Sequence, residues 1–259
     1  MTKTKIITVN KDNISEHEPT CFLNPNNLGY QLKREWLTQR FIEGMRIKLL
    51  YVEDEKKPVG FIEYVPGEYA WRALDAGGYM FIHCIWISKN KFKNLGYGSR
   101  LIQECELDAK EQDMIGVAVI TSEGPFMAGK ELFVKNGYNS VASVKPSFEL
   151  MVKTFKSEPA FVPKIKDWEE QLTKYQGLNI VYSKQCPWVV RFMEELDGFI
   201  KKEGLKVDLK ITELKTPEQA QNAPSIYASF NLINNGKLLA DHYISTTRFK
   251  NIIKKELKL

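Results

Sequence analysis

The chain has 259 residues, enough for two domains that each bury a core, and its 43% hydrophobic and 27% charged residues exclude a disordered polymer. A net charge of +5, spread over both halves, excludes the concentrated basic face of a nucleic-acid binder. No apolar run reaches the ~18 residues of a membrane span, and Met1-Thr2-Lys3-Thr4-Lys5 does not lead into a signal-peptide core, so no membrane association and a cytoplasmic location are expected. Cys21, Cys84, Cys105 and Cys186 lack metal-site spacing and would be reduced thiols there; with three histidines in all, no metal is expected.

In chain order, Lys5 to Val9 reads as an edge strand and residues 12–30, rich in Pro, Asn and Gly, as a short helix or loop region. Leu32, Trp36, Leu37, Phe41 and Ile42 fall at helical spacing, which predicts a helix from Gln31 to a stop at Gly44. Arg46–Val52 and Val59–Val65 predict a two-strand hairpin, followed by a long apolar strand, Tyr79–Ser88. A helix Gly98–Glu111, a strand Ile115–Thr121, a helix Phe126–Lys135 and strands near Tyr138–Val144 and Phe148–Phe155 complete a first domain, 1–155. This alternation predicts an α/β domain with a mixed central sheet and helices on both faces.

Residues 156–177 read as a linker, stiffened by Pro159 and Pro163, with a bridging helix at Lys164–Tyr175. A smaller α/β domain, 178–259, then runs strand Asn179–Ser183, helix Pro187–Lys202, strand Val207–Leu214, strand Pro224–Ile233, a turn at Asn234-Asn235-Gly236, strand Lys237–Asp241 and helix Ser245–Glu256.

The chemistry concentrates where the long strand ends. Ile85-Trp86-Ile87 runs into a Lys-rich loop, and Lys93-Asn94-Leu95-Gly96-Tyr97-Gly98-Ser99-Arg100 opens a helix whose apolar stripe includes Leu101, Ile102 and Cys105. Unbonded amides and the aligned dipoles at a helix start attract an anion. Glycine lets the backbone come close to it. A Gly-x-Gly turn by itself serves equally as a plain turn with no ligand.

Lys93-x-x-Gly96-x-Gly98 resembles the Arg/Gln-x-x-Gly-x-Gly/Ala acyl-CoA motif of the GCN5-related N-acetyltransferase (GNAT) family, with Lys in the first place. The element order up to Gly137-Tyr138 follows that family, and the resemblance covers residues from about 5 to 155. It implies the acyl-CoA N-acyltransferase fold, acetyl-CoA as co-substrate, and direct attack by the amine of a small-molecule acceptor in a ternary complex. It also implies that Ile85, Trp86 and Ile87 of a bulged strand, with residues 93–100 and Phe133, hold the cofactor. In the second domain, strand, helix, strand, hairpin and helix resemble the thioredoxin-like fold. Cys186-Pro187-Trp188-Val189 stands where that fold carries Cys-Pro-x-Cys, and Ala223-Pro224 where it carries a cis-proline. The combination resembles acetyltransferases with a YoaP-type C-terminal domain.

His83 and Glu63 are candidate bases for an amine that must lose a proton; a core histidine and a solvated strand carboxylate are the plain alternatives. The family's Tyr near the thiolate is replaced by Phe133, which leaves Tyr138, Ser122 or Cys84 as candidate acids. Tyr64, Trp71 and Arg72, with Tyr69, are candidate acceptor-binding residues. Cys186, at an expected helix N-terminus, is a candidate reactive thiol, and Val189 excludes a dithiol cycle. A CoA-binding or monothiol-sensing protein is the competing functional reading, and a homodimer is compatible with either.

Overall fold

The computed structural model describes residues 3–17, 24–157, 159 and 161–258. Cys21 and Pro19 lie outside the described residues. The chain divides into two units. The first gathers Met1–Phe22, Leu37–Ala70 and Leu74–Ile165, and the second gathers Leu23–Trp36, Trp71–Ala73 and Lys166–Leu259.

The first unit is built on a seven-stranded sheet. Its elements are β1 (Thr4–Val9), α1 (Leu28–Ile42), of which residues from Leu37 on belong here, β2 (Arg46–Val52), β3 (Gly60–Pro66), β4 (Leu74–Asp75) and β5 (Tyr79–Ile87). After them come α2 (Tyr97–Glu111), β6 (Gly116–Thr121), α3 (Lys130–Lys135), β7 (Asn139–Val144), β8 (Phe148–Thr154) and β9 (Lys164–Ile165). The sheet order is β1-β2-β3-β5-β6-β8-β7, antiparallel throughout except for the parallel pair β5–β6. That is the expected mixed sheet. Leu101, Ile102, Cys105 and Ala109 recur on one face of α2 and are fully buried against Ile62, Tyr64, Met80, Ile82, Val117 and Val119, which is the periodicity of an amphipathic helix laid on a sheet.

Two expectations in this unit fail locally. The helix expected from Phe126 begins only at Lys130, because Phe126 sits at φ 65 and Gly129 is extended, neither of which continues a right-handed helix. Instead of opening a helix, Lys164–Ile165 forms β9 and pairs with Leu74–Asp75.

The second unit contains α4 (Trp168–Leu172), β10 (Leu178–Ser183), α5 (Pro187–Lys202), β11 (Leu209–Leu214), α6 (Pro217–Gln221), β12 (Phe230–Asn234), β13 (Lys237–Ala240) and α7 (Thr246–Leu257). Its sheet order is β11-β10-β12-β13, with β10 parallel to β11 and antiparallel to β12. Ile180, Phe230 and Leu232 on one sheet face bury Phe192 and Leu196 of α5 and Phe249 and Ile253 of α7. The hairpin β12–β13 turns at Asn235 (φ 48) and Gly236 (φ 73); two positive φ values match the twist of the strands.

Here too the sequence reading needs correction. The strand expected from Pro224 starts at Phe230, since Ala228 takes φ 57 and breaks the extended run. Ala223–Pro224 is trans, the cis bond among the described residues being Lys145–Pro146. Helix α6 was not expected, although Thr216-Pro217-Glu218-Gln219 announces it: Thr216 Oγ1 accepts from Gln219 N–H (3.2 Å) and Gln219 Oε1 accepts from Lys215 N–H (2.7 Å).

Candidate active site

Strand β5 enters the sheet regular and leaves it bulged. Glu63 pairs with Cys84 and Tyr64 with Ile82, so His83 has no opposite residue on β3. One extra residue shifts the alternation of faces by one. Met80 and Ile82 point into the core under α2 before the bulge, and Ile85 and Ile87 pack against it after. In an unbroken strand His83, two and four residues before Ile85 and Ile87, would share their face; the extra residue removes it from that face. The bulge leaves the histidine on the other face, its ring edge-on to Phe81 with centroids 5.5 Å apart.

On that face the two candidate bases meet. His83 Nδ1 lies 3.5 Å from Glu63 Oε1, and the side chains are 0% and 4% exposed. A carboxylate beside one imidazole nitrogen favours the proton there, which makes the other nitrogen the acceptor.

The second consequence of β5 is a gap. It pairs with β6 over Tyr79–Ile82 alone, while β6 continues beside β8 to Thr121. Among the described residues no strand pairs with β5 on that side from His83 to Ile87. Its backbone N–H and C=O groups there can serve an extended ligand, as they would a further strand.

At the end of β5 the chain turns through Asn90–Phe92 and reaches Asn94 (φ 62) and Gly96 (φ 81) before α2. Gly96 is the N-cap and offers no side chain, and the first helical bond runs from Arg100 N–H to Gly96 O (3.0 Å). The first amides of α2 have no intrahelical acceptor and no side-chain cap, an arrangement that suits an anion. A Cβ on Gly96 would meet nothing within 4 Å, so the space before the helix is open. Leu95 (57% exposed) and Trp86 (45%) flank it at the surface. A phosphate-bearing ligand fits these residues.

Several polar side chains around the turn are engaged elsewhere. Lys91 and Lys89 both pair with Glu55; Ser99 Oγ accepts from Asn136 Nδ2 (3.0 Å); Arg100 donates to Thr4 Oγ1. Phe133 is fully buried in the core and presents no surface to a cofactor. Tyr138 packs edge-on to Phe133 in that core, 2% exposed, so its hydroxyl is not brought to the histidine. Burial above all, with Cys105 and Glu106 adding, holds its phenol well above the ordinary range.

Tyr64 is likewise no wall of an acceptor site. Its O–H donates to Asp108 Oδ2 within a buried cluster in which Lys48 Nζ lies 3.0 Å and Arg46 Nη1 2.9 Å from the same carboxylate. Although burial opposes it, hydrogen bonds from Tyr64, Arg46 and Lys48 hold the Asp108 carboxyl below its usual range. Sequence reasoning missed Asp108. Its signal was position: three residues after Cys105 on the apolar stripe of α2.

Trp71 and Arg72 belong to the second unit. Trp71 is fully buried, edge-on to Trp36 at 5.0 Å, and Arg72 stacks over Tyr227 at 4.9 Å. Arg72 Nη1 donates to Trp71 O (2.6 Å) and to Gln185 Oε1 (2.5 Å), so the residues expected to line one acceptor wall are divided between the units. Cys186 is a half-buried thiol at the N-cap of α5, with Pro187 at the first helical position.

The model of the acetyltransferase (GNAT) family matches residues 12–138, and that described as YoaP-like matches residues 208–251. A protein of Bacillus subtilis (strain 168) described as "Uncharacterized N-acetyltransferase YoaP" is 30% identical over 254 residues, which make up 95% of this chain and 97% of that protein. Among solved structures, an acetyltransferase of the GNAT family from Staphylococcus aureus Mu50 is 16% identical over 60% of this chain and 100% of its own, with a TM-score of 0.43. The PaiA N-acetyltransferase of Thermoplasma acidophilum in complex with coenzyme A is 13% identical over 59% of this chain and 99% of its own, with a TM-score of 0.42. With a relative matched at that identity along nearly its whole length, the chain belongs to the acetyltransferase (GNAT) family and is an acyltransferase.

Proposed function

We propose that the chain is an N-acetyltransferase that moves an acetyl group from acetyl-CoA to the amine of a small-molecule acceptor, which attacks directly in a ternary complex. The observation that carries this reading is the parting of β5 from β6 after Ile82, which sets an open strand edge beside the uncapped start of α2. Acetyl-CoA supplies the activated thioester. The chain's part is to hold and to deprotonate. Amides from Asn94 to Ser99 grip the pyrophosphate, with Lys93 adding charge. Backbone groups of Ile85 and Ile87 bond the pantetheine arm and polarise the carbonyl. His83, oriented by Glu63, takes the proton of the amine, directly or through water.

The sheet order β11-β10-β12-β13, with α5 following β10, supports a thioredoxin-like reading of the region 178–259, beside a catalytic region 1–155. Among the described residues no helix is long and apolar enough to cross a membrane; the proposed compartment is the cytoplasm.

The test is release of free CoA from acetyl-CoA across a panel of small amines, with Gly98→Trp as the blocked control. Release that depends on an amine and vanishes in the control supports the reading. Should no amine in the panel draw CoA from a folded protein that binds acetyl-CoA, transfer to a small amine is refuted.

A further inference from the structure

The four-stranded sheet of the second unit has two edges, and they are built differently. At one, β13 is four residues long, its pairing with β12 slips between Leu232 and Ile233, and Lys237 is tied to Glu256 of α7 (2.7 Å). A short, irregular, charged edge resists a further strand. At the other edge, β11 pairs with β10 in unbroken parallel register from the Leu178–Leu209 pair to the Ser183–Leu214 pair and contains no proline or glycine. Among the described residues no strand lies on its outer side.

Exposure sets β11 apart as well. Its neighbour β10 is buried except for the partly buried Tyr182, yet Lys210, Ile211 and Thr212 at the centre of β11 are exposed in succession. Side chains alternate between faces, so three exposed in a row mean that the strand stands clear of cover on both. Leu209 packs against the core around Ile180, and Leu214 is buried, so the ends are held. Ile211, opposite Ile180 and on the same face, is 53% exposed. An even strand with open backbone groups and an exposed isoleucine at its centre is a template for another strand.

The side chains specify which strand. Antiparallel pairing of β11 with itself must match residues of one face. Centred on Ile211, it opposes the two isoleucines, sets Lys210 against Thr212 and Leu209 against Glu213, and brings no like charges together. Glu213 is already held by Lys184 (3.3 Å) and the Tyr182 hydroxyl (3.3 Å). Centred on Lys210, the pairing would oppose two ammonium groups; centred on Thr212, it would press Ile211 against the Glu213 carboxylate.

We propose that β11 is an interface for a second copy of this chain, paired antiparallel about a two-fold axis at Ile211 so that the two sheets run on as one. The pairing adds a backbone ladder and buries Ile211 of both copies beside the core that Ile180 belongs to. Six residues a side make a small interface, so the dimer is weak and depends on concentration.

Sedimentation velocity of the full chain under reducing conditions, from about 1 to about 200 μM, brackets such an affinity. The weight-average mass should rise from that of one chain toward twice that. Ile211→Lys alters an exposed position, so circular dichroism should be unchanged, while two ammonium groups on the axis weaken association by about tenfold or more. Cysteine trapping reports the register. Ile211→Cys brings two thiols to the roughly 4.5–5.5 Å Cα spacing of a directly opposed pair, whereas Lys210→Cys leaves them about 7–8 Å apart on the diagonal, beyond a disulfide's reach. Linked dimer should therefore form about tenfold faster in the first than in the second. A monomer at every concentration would hand the edge to a foreign strand and overturn the proposal. So would a dimer that Ile211→Lys leaves intact, or equal trapping of the two cysteine variants.

Discussion

His83 Nδ1 stands 3.5 Å from Glu63 Oε1 because a bulge in β5 places the histidine opposite no residue of β3 and beside the carboxylate. Without that extra residue the alternation of β5 would be unbroken and His83 would share a face with Ile85 and Ile87. The pair depends on backbone register as much as on the two side chains.

His83→Ala should therefore lower kcat/KM for acetyl transfer by about 10²–10⁴, the range for losing a general base. The deficit should shrink as pH falls, because a protonated imidazole cannot serve as base in the wild type either. Glu63→Gln, which keeps the shape and removes the charge, should cost less and displace the pH profile. A His83→Ala profile parallel to the wild type would eliminate the histidine as base.

Gly96 takes φ 81, where a side chain is strained even though a Cβ would meet no atom. Gly96→Val should cost about 1–2 kcal/mol of stability and weaken acetyl-CoA, because the amides before α2 lose their orientation. Gly98→Trp acts sterically instead: the Cβ position is already 3.2 Å from Leu132 Cδ1, and the indole adds bulk in the first turn of α2. Titration calorimetry on variants with unchanged circular dichroism should show loss of binding heat in Gly98→Trp.

Asp108→Asn should destabilise the first unit by about 3–5 kcal/mol, since Arg46 and Lys48 would keep their charges around a neutral amide. Its folded pKa is depressed, so its stabilisation is present above the unfolded carboxyl value near about 3.9 and fades as pH falls through the folded value. Melting temperatures against pH should fall below about pH 4 in the wild type, and the Asp108→Asn curve should lack that component.

Tyr138→Phe removes one oxygen from a fully packed core and no group from the histidine face. Turnover should stay within about twofold of the wild type, as for a residue outside the reacting geometry. A loss of tenfold or more in kcat with intact folding would restore the tyrosine as acid.

Gly29 carries a packing constraint of a different kind. A Cβ there would lie 2.3 Å from the Pro187 carbonyl oxygen, a backbone atom that cannot swing aside. Gly29→Ala should lower the melting temperature of the second unit by the equivalent of about 1–3 kcal/mol.

What the sequence determined by itself was local: where apolar residues recur at two or at three and four positions, where glycines and prolines punctuate, and hence most elements of both sheets. Helix α5 spans the same residues expected from its Pro187 start, and the Asn-Gly hairpin turns where those residues demand positive φ. The glycine turn before α2 was legible for the same reason, since such a turn is made of consecutive residues. The tertiary structure decided what depends on partners distant along the chain. Register across β3 and β5 created the bulge that pairs His83 with Glu63, and packing under α2 took Tyr64, Phe133 and Tyr138 out of reach. Arg72 met Gln185 across 113 positions. Such contacts leave no periodic trace, because a side chain's chemistry is written in the sequence while its neighbours are chosen by the fold.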